Sequence, residues 1–192
     1  MLRSGESIPS QQRTWSSRWG CRIEAITKEK RRAVKVIDPI AGELQFDHGW
    51  CRQFEVEFLG ATQFAVLCFS GDPHVPLEGA QRSAYAHFFA DRERLLCDAS
   101  TALLRHCLSI RLEIQERASN EQARGVAAEM SDELHLRELV ELKEIFFPES
   151  FGSASRVFGL ILDCDWDPSL GIGIRFEDEA LVEIGPQDIV LS

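Results

Sequence analysis

The hydrophobic period of this chain changes twice, and that limits its fold more than any other feature. Between Gly42 and Ser70 apolar residues alternate with polar ones, the period of a half-buried strand. Gly42-Glu-Leu-Gln-Phe-Asp is the first such run, and His48-Gly49 supplies a turn. Phe54, Val56 and Phe58 alternate with Glu55 and Glu57 before Gly60-Ala61 turns the chain again. Phe64, Val66 and Cys68 are expected to form one face of a third run, which ends at Ser70-Gly71-Asp72-Pro73. Short strands joined by tight turns make an antiparallel meander.

From Leu77 the spacing becomes helical. Leu96, Ala99, Leu103, Cys107, Ile110 and Ile114 recur every three or four positions, with Arg105, Arg111, Glu113 and Glu116 off the stripe. One helix through the whole stretch would be unusually long. Two consecutive helices are predicted, over about 77–89 and 92–117, with Asp91 capping the second. Residues 118–130 lack a period and are predicted to be a surface loop. Ser131-Asp132-Glu133-Leu134 opens a short helix with acidic groups where the helix dipole favours them, and Glu144-Ile-Phe-Phe-Pro148 reads as a strand ended by proline.

The period then returns to two. Val157 to Trp166, Gly171 to Phe176 and Ala180 to Ile184 are predicted strands, with Ile189-Val-Leu191 a short fourth. The predicted class is α+β: a mainly antiparallel sheet from N- and C-terminal β-meanders, with a central helical segment packed on it. The chain has 192 residues, 44% of them hydrophobic, enough for one core. The expected organisation is a basic arm over 1–35 and a single α+β domain over 36–192.

Charge supports that division. Residues 1–35 hold nine Lys or Arg against three Glu, a net +6, and the remainder carries −16. So acidic a body repels the phosphates of nucleic acid and anionic lipid, and it attracts a basic protein surface. No run of apolar residues is long enough to span a membrane, and residues 1–32 contain no apolar core of a secretory signal. A cytoplasmic location is expected.

The six cysteines show no Cys-x-x-Cys spacing. They sit among apolar neighbours and are expected to be mainly small buried hydrophobes, with a disulfide framework the minor reading.

The most distinctive candidate site is Asp163, Asp165 and Asp167. On a strand these three project from one face, about 7 Å apart, opposite Leu162, Cys164 and Trp166. They are expected to contribute to a partner-binding surface. As a hard-cation site they fit poorly: the EF-hand pattern they open has Pro168 where glycine is needed and Ile174 where glutamate is needed. The five histidines form no metal-ligand pair. No nucleophile elbow, dinucleotide fingerprint or phosphate loop is present, so no cofactor, resident metal or catalytic residue is expected.

Longer motifs point to a family. The run Cys164-Asp-Trp-Asp-Pro-x-x-Gly-x-Gly173, then Arg175-Phe176-Glu177, then Val182-Glu-Ile-Gly-Pro-Gln-Asp188, resembles the end of an uncharacterised bacterial domain family. Asp38-Pro39-x-x-Gly42-Glu43-Leu44 and Gln81-Arg82 at the head of a long helix resemble its earlier part. The resemblance spans about 37–191. It implies a small cytoplasmic protein, in some members similar in kind to immunity proteins of toxin systems. Ser169-Leu170 stands where the family usually has Glu-His, which counts against catalysis here. The expected function is non-enzymatic binding of a basic partner. The alternatives are a homodimerising module joined through an open sheet edge and a metal-dependent enzyme using the Asp cluster.

Overall fold

The computed structural model describes residues 34–191. The expected arm therefore lies, apart from Val34 and Lys35, outside the described residues. Lys35 itself opens the first strand.

Four antiparallel strands come first: β1 (Lys35–Asp38), β2 (Gly42–Phe46), β3 (Trp50–Phe58) and β4 (Ala61–Phe69). The helical segment follows, with α1 (Gly79–Ala90), α2 (Arg92–Ser109), α3 (Arg111–Arg117), α4 (Glu121–Glu129) and α5 (Glu133–Leu136). Then come β5 (Val140–Phe147), β6 (Val157–Cys164), β7 (Ile172–Glu177), β8 (Ala180–Gly185) and the short α6 (Asp188–Leu191). All eight strands form one sheet in sequential order. The class is α+β.

The arrangement differs from expectation at several points. The two meanders are fused, because β5 pairs with β4 in parallel. A parallel neighbour needs a crossover, and α1 to α5 supply it. Buried Gln81 on α1 fastens this junction: its Nε2 donates to the carbonyls of Ser70, at 2.9 Å, and Phe147, at 3.0 Å. The predicted loop over 118–130 contains α4, which starts where Asn120 Oδ1 accepts the Ala123 amide at 3.0 Å. The predicted long helix divides at Ile110 into α2 and α3. Asp91 precedes α2 without a side-chain cap bond and instead pairs with Arg94. Ile189–Leu191 is helix α6 rather than a strand.

Phe64, Val66 and Cys68 share one face of β4, as expected, but the sequence does not say whether that face is the inner one. Phe64-Ala-Val-Leu-Cys-Phe69 is apolar throughout, so alternation within it carries no direction. Pairing with β3 decides: Trp50 lies opposite Phe69, Arg52 opposite Leu67, and Phe54 opposite Ala65. Ala65, Leu67 and Phe69 therefore enter the core, and Phe64, Val66 and Cys68 face the other way. The bulge between Leu142 and Glu144 lets both Leu142 and Ile145 point inward, and a second bulge opposite Arg175/Phe176 leaves Val182 of β8 unpaired.

The core lies between one sheet face and the helices. Phe88 of α1 meets Phe158 edge-on at 5.2 Å, and Phe158 stacks on Phe176 at 4.6 Å. Leu96, Ala99, Leu103, Cys107 and Ile114 of the predicted stripe are buried there, and Ile110 packs at the edge where the helix divides. Asp38 is buried at the turn after β1. It accepts the Ala41 amide at 3.0 Å and the Ile40 amide at 2.9 Å, and it pairs with Arg82 at 2.8 Å.

The cysteines divide three ways. Cys51 and Cys68 stand directly opposite on β3 and β4 and form a disulfide, against the expectation of unpaired thiols. Cys97 is exposed. Cys107 and Cys164 are buried as expected, and burial pushes both thiols up to about 12. Cys21 lies outside the described residues.

Candidate functional site

Helices α1 to α5 cover one face of the sheet. On the opposite face the described cover is α6, whose Val190 packs on Gly159 of β6 and Gly173 of β7. Any Cβ at Gly159 would collide with the Val190 methyls, so the glycines are what let α6 approach the strands. Among the described residues, nothing beyond α6 covers this face around β4 and β5.

Its centre is apolar with one carboxylate set into it. Phe64 is 70% exposed, an unusual state for a phenylalanine on a sheet. Farther along the same face Val66 and, opposite Cys68, Phe146 are half-buried. Glu144 lies opposite Val66 on one side and Ile161 on the other, turned to this face by the β5 bulge. Among the described residues nothing hydrogen-bonds or ion-pairs with Glu144, and burial alone pushes its carboxyl up to about 7. Glu55 and Glu57 of β3 and Asp163 of β6 surround this centre with exposed acidic groups.

The three aspartates singled out by sequence do not share a face. Strand β6 ends at Cys164, so only Asp163 projects from it. Asp163 is exposed and lies 3.6 Å from Lys143, which also holds Glu141 at 2.6 Å. Asp165 and Asp167 belong to the following turn and are engaged inside the molecule. Asp165 accepts the Ser119 amide at 2.8 Å and the Ser119 hydroxyl at 2.6 Å. Asp167 pairs with Arg117 at 2.6 Å and accepts the Ser169 hydroxyl at 3.0 Å. Burial pulls the Asp167 carboxyl upward, but its bonds to Ser169, Arg117 and Leu170 outweigh this and hold it below the usual range. These two residues fasten the α3–α4 junction to the β6–β7 turn.

A second concavity, of about 500 Å³, lies between β3 and the start of α2. Ser100 Oγ sits 2.7 Å from Glu133 Oε1 and 3.1 Å from the Cys97 carbonyl, and the exposed Cys97 thiol is nearby. Among the described residues no histidine lines this groove, and the group beside the Ser100 hydroxyl is the Glu133 carboxylate. Among the described residues, no three His, Cys, Asp or Glu are grouped so as to hold a metal ion, and no helix is long and apolar enough to cross a membrane.

A domain family of unknown function, DUF6985, matches residues 40–191. The chain belongs to that family. The match covers β2 to α6, so the open face around β4 and β5 and the groove between β3 and α2 lie within the DUF6985 domain. No curated protein and no solved structure matches the chain.

Sequence reasoning missed Phe64 and Glu144. Phe64 lies in a run that is apolar on both faces, so its strand pattern carries no sign of which face is inner. Glu144 lies beside a bulge, and no sequence signal in Glu141-Leu-Lys-Glu-Ile145 shows where the extra residue falls.

Proposed function

We propose that this DUF6985 domain is a non-catalytic binding protein that takes a basic protein partner on the open face of its sheet, in the manner of an immunity protein. The observation that carries this reading is Glu144: a half-buried carboxylate without a partner among the described residues, near an exposed Phe64. A lysine or arginine from a partner would supply the missing counter-charge, while the partner's apolar surface covers Phe64, Val66 and Phe146. Asp163, Glu55 and Glu57 would steer the approach, and the −16 of residues 36–192 extends the attraction over longer range. Asp165 and Asp167 would serve the contact only by holding the adjoining turn.

The reading predicts a coupling between binding and protonation. A cation beside Glu144 favours its charged form, so complex formation releases a proton when the pH is below about 7. Affinity should therefore rise with pH up to that point and fall as salt rises.

The test begins with capture of partners from the native cell, followed by reconstitution with the purified partner. A basic partner whose affinity drops roughly tenfold or more with Glu144→Gln and Phe64→Ala together supports the proposal. An acidic partner, or an affinity unmoved by both substitutions, overturns it.

A further inference from the structure

Among the described residues the sheet has two edges, and they are built differently. At β8 an extra residue, Val182, interrupts the pairing with β7, and the neighbouring Glu183 is exposed; both features discourage another strand from adding. Strand β1 has neither. The Phe46 amide donates to the Val34 carbonyl at 2.8 Å, so Val34, and by alternation Val36, turn their backbone groups toward β2. Lys35 and Ile37 consequently aim their amides and carbonyls outward, along an edge with no proline or bulge between them.

That edge is apolar on both sides. Ile37 is 81% exposed on the open-face side. On the helix side Val36 borders a cleft of about 330 Å³ that also takes in Val34, Trp50, Pro73, Val75 and Pro76. The ionic groups here are already matched: Lys35 holds Glu43 at 2.7 Å and Arg82 holds Asp38 at 2.8 Å. The edge therefore offers no free carboxylate to a basic partner. A second copy of this chain carries the same −10, and it can approach where local charge is balanced, as it is here.

We propose that two copies of this chain join edge to edge along β1, antiparallel about a two-fold axis, to continue the sheet across both. Symmetry restricts the register. A two-fold axis perpendicular to the sheet keeps each residue on its own face, so the paired positions must have the same parity. The outward groups of Lys35 and Ile37 must also bond each other. Val36 then faces Val36 of the second copy at a non-hydrogen-bonded position, with Lys35 of each copy opposite Ile37 of the other. The clefts beside Val36 meet across the axis, so the apolar side chains lining them cover one another.

The test uses the full chain and measures its mass in solution over a wide concentration range. The expected result is a mass about twice 21.7 kDa. Ile37→Lys sets lysine against the second copy's lysine and should give monomers with an unchanged circular dichroism spectrum, because Ile37 is exposed. Ile37→Glu sets opposite charges together and should retain the dimer. In a Cys97→Ser background, Val36→Cys should form an intermolecular disulfide under mild oxidation, and Ile37→Cys should not. A parent that stays monomeric, or a dimer indifferent to Ile37→Lys, overturns the proposal. A dimer that Val36→Cys fails to cross-link overturns the register.

Discussion

The two faces of the sheet are made from the same eight strands and meet different surroundings. The helix side is closed by α1 to α5, which bury Phe69, Phe88, Phe147, Phe158 and Phe176 together. Among the described residues, the other side is covered at β6 and β7 by α6 and left open around β4 and β5, where Phe64 and Glu144 lie. The closed face has long amphipathic helices to shield it from water. The open face is held by pairing inherited from the closed one: once Ala65, Leu67 and Phe69 are buried, Phe64 and Val66 have no choice of side. Exposure of an apolar residue here is a consequence of register rather than of local preference, and it leaves surface available for a partner.

The largest expected effect tests the closed face. Leu103 is fully buried in the stripe of α2, and Leu103→Ala should cost about 2–5 kcal/mol in urea unfolding, as truncation leaves a cavity. The same measurement on Phe64→Ala should show the contrast.

A next, smaller effect tests the carboxylate of the open face. Glu144 is raised in the folded state from an ordinary value of 4.5 to about 7. The folded protein therefore binds more protons than the unfolded chain between those values, and stability falls as pH rises through that window. Glu144→Gln should remove this slope. At pH 8 the variant should exceed the parent by about 1–3 kcal/mol, with the two converging below pH 4.5. Parallel pH–stability curves would show that Glu144 is not held in an apolar setting.

The contact of α6 with the sheet comes third. Gly159→Ala forces a methyl into Val190 and should cost about 1–2 kcal/mol. Val190→Ala alone also destabilises, but the double variant should recover part of the first loss, which a double-mutant cycle reads directly. Additive losses would show that Gly159 is needed for another reason. The smallest effect is Phe64→Ala itself, expected to change stability by less than about 0.5 kcal/mol. A loss comparable to that of Leu103→Ala would mean that the open face is part of a folding core.

Asp163, Asp165 and Asp167 show where reading from sequence reached its limit. Their alternation was real, and a strand continuing two residues further would have aligned all three. The strand ends at Cys164: the Asp165 amide still donates to the Leu139 carbonyl at 2.9 Å, and the chain then turns through Asp165 and Trp166. Arg117 and Ser119 then engage the two later carboxylates from residues about fifty positions away, separations no local pattern records. The disulfide has the same character: Cys51 and Cys68 are ordinary strand residues until pairing sets them opposite each other.

By itself the sequence determined what depends on neighbours along the chain. The period of two before Ser70 and after Val157, and the stripe from Leu96 to Ile114, specified strands, helices and the α+β class, because burial of one face imposes its period on the residues that supply it. The tertiary structure alone decided which face of β4 is inner, that β4 and β5 run parallel, that Ile189–Leu191 is a helix seated on two glycines, and that Glu144 has no counter-charge among the described residues. Each of these is a relation between segments distant in the chain, fixed when the pairing of one strand with the next removes a freedom that neither strand's own residues can remove.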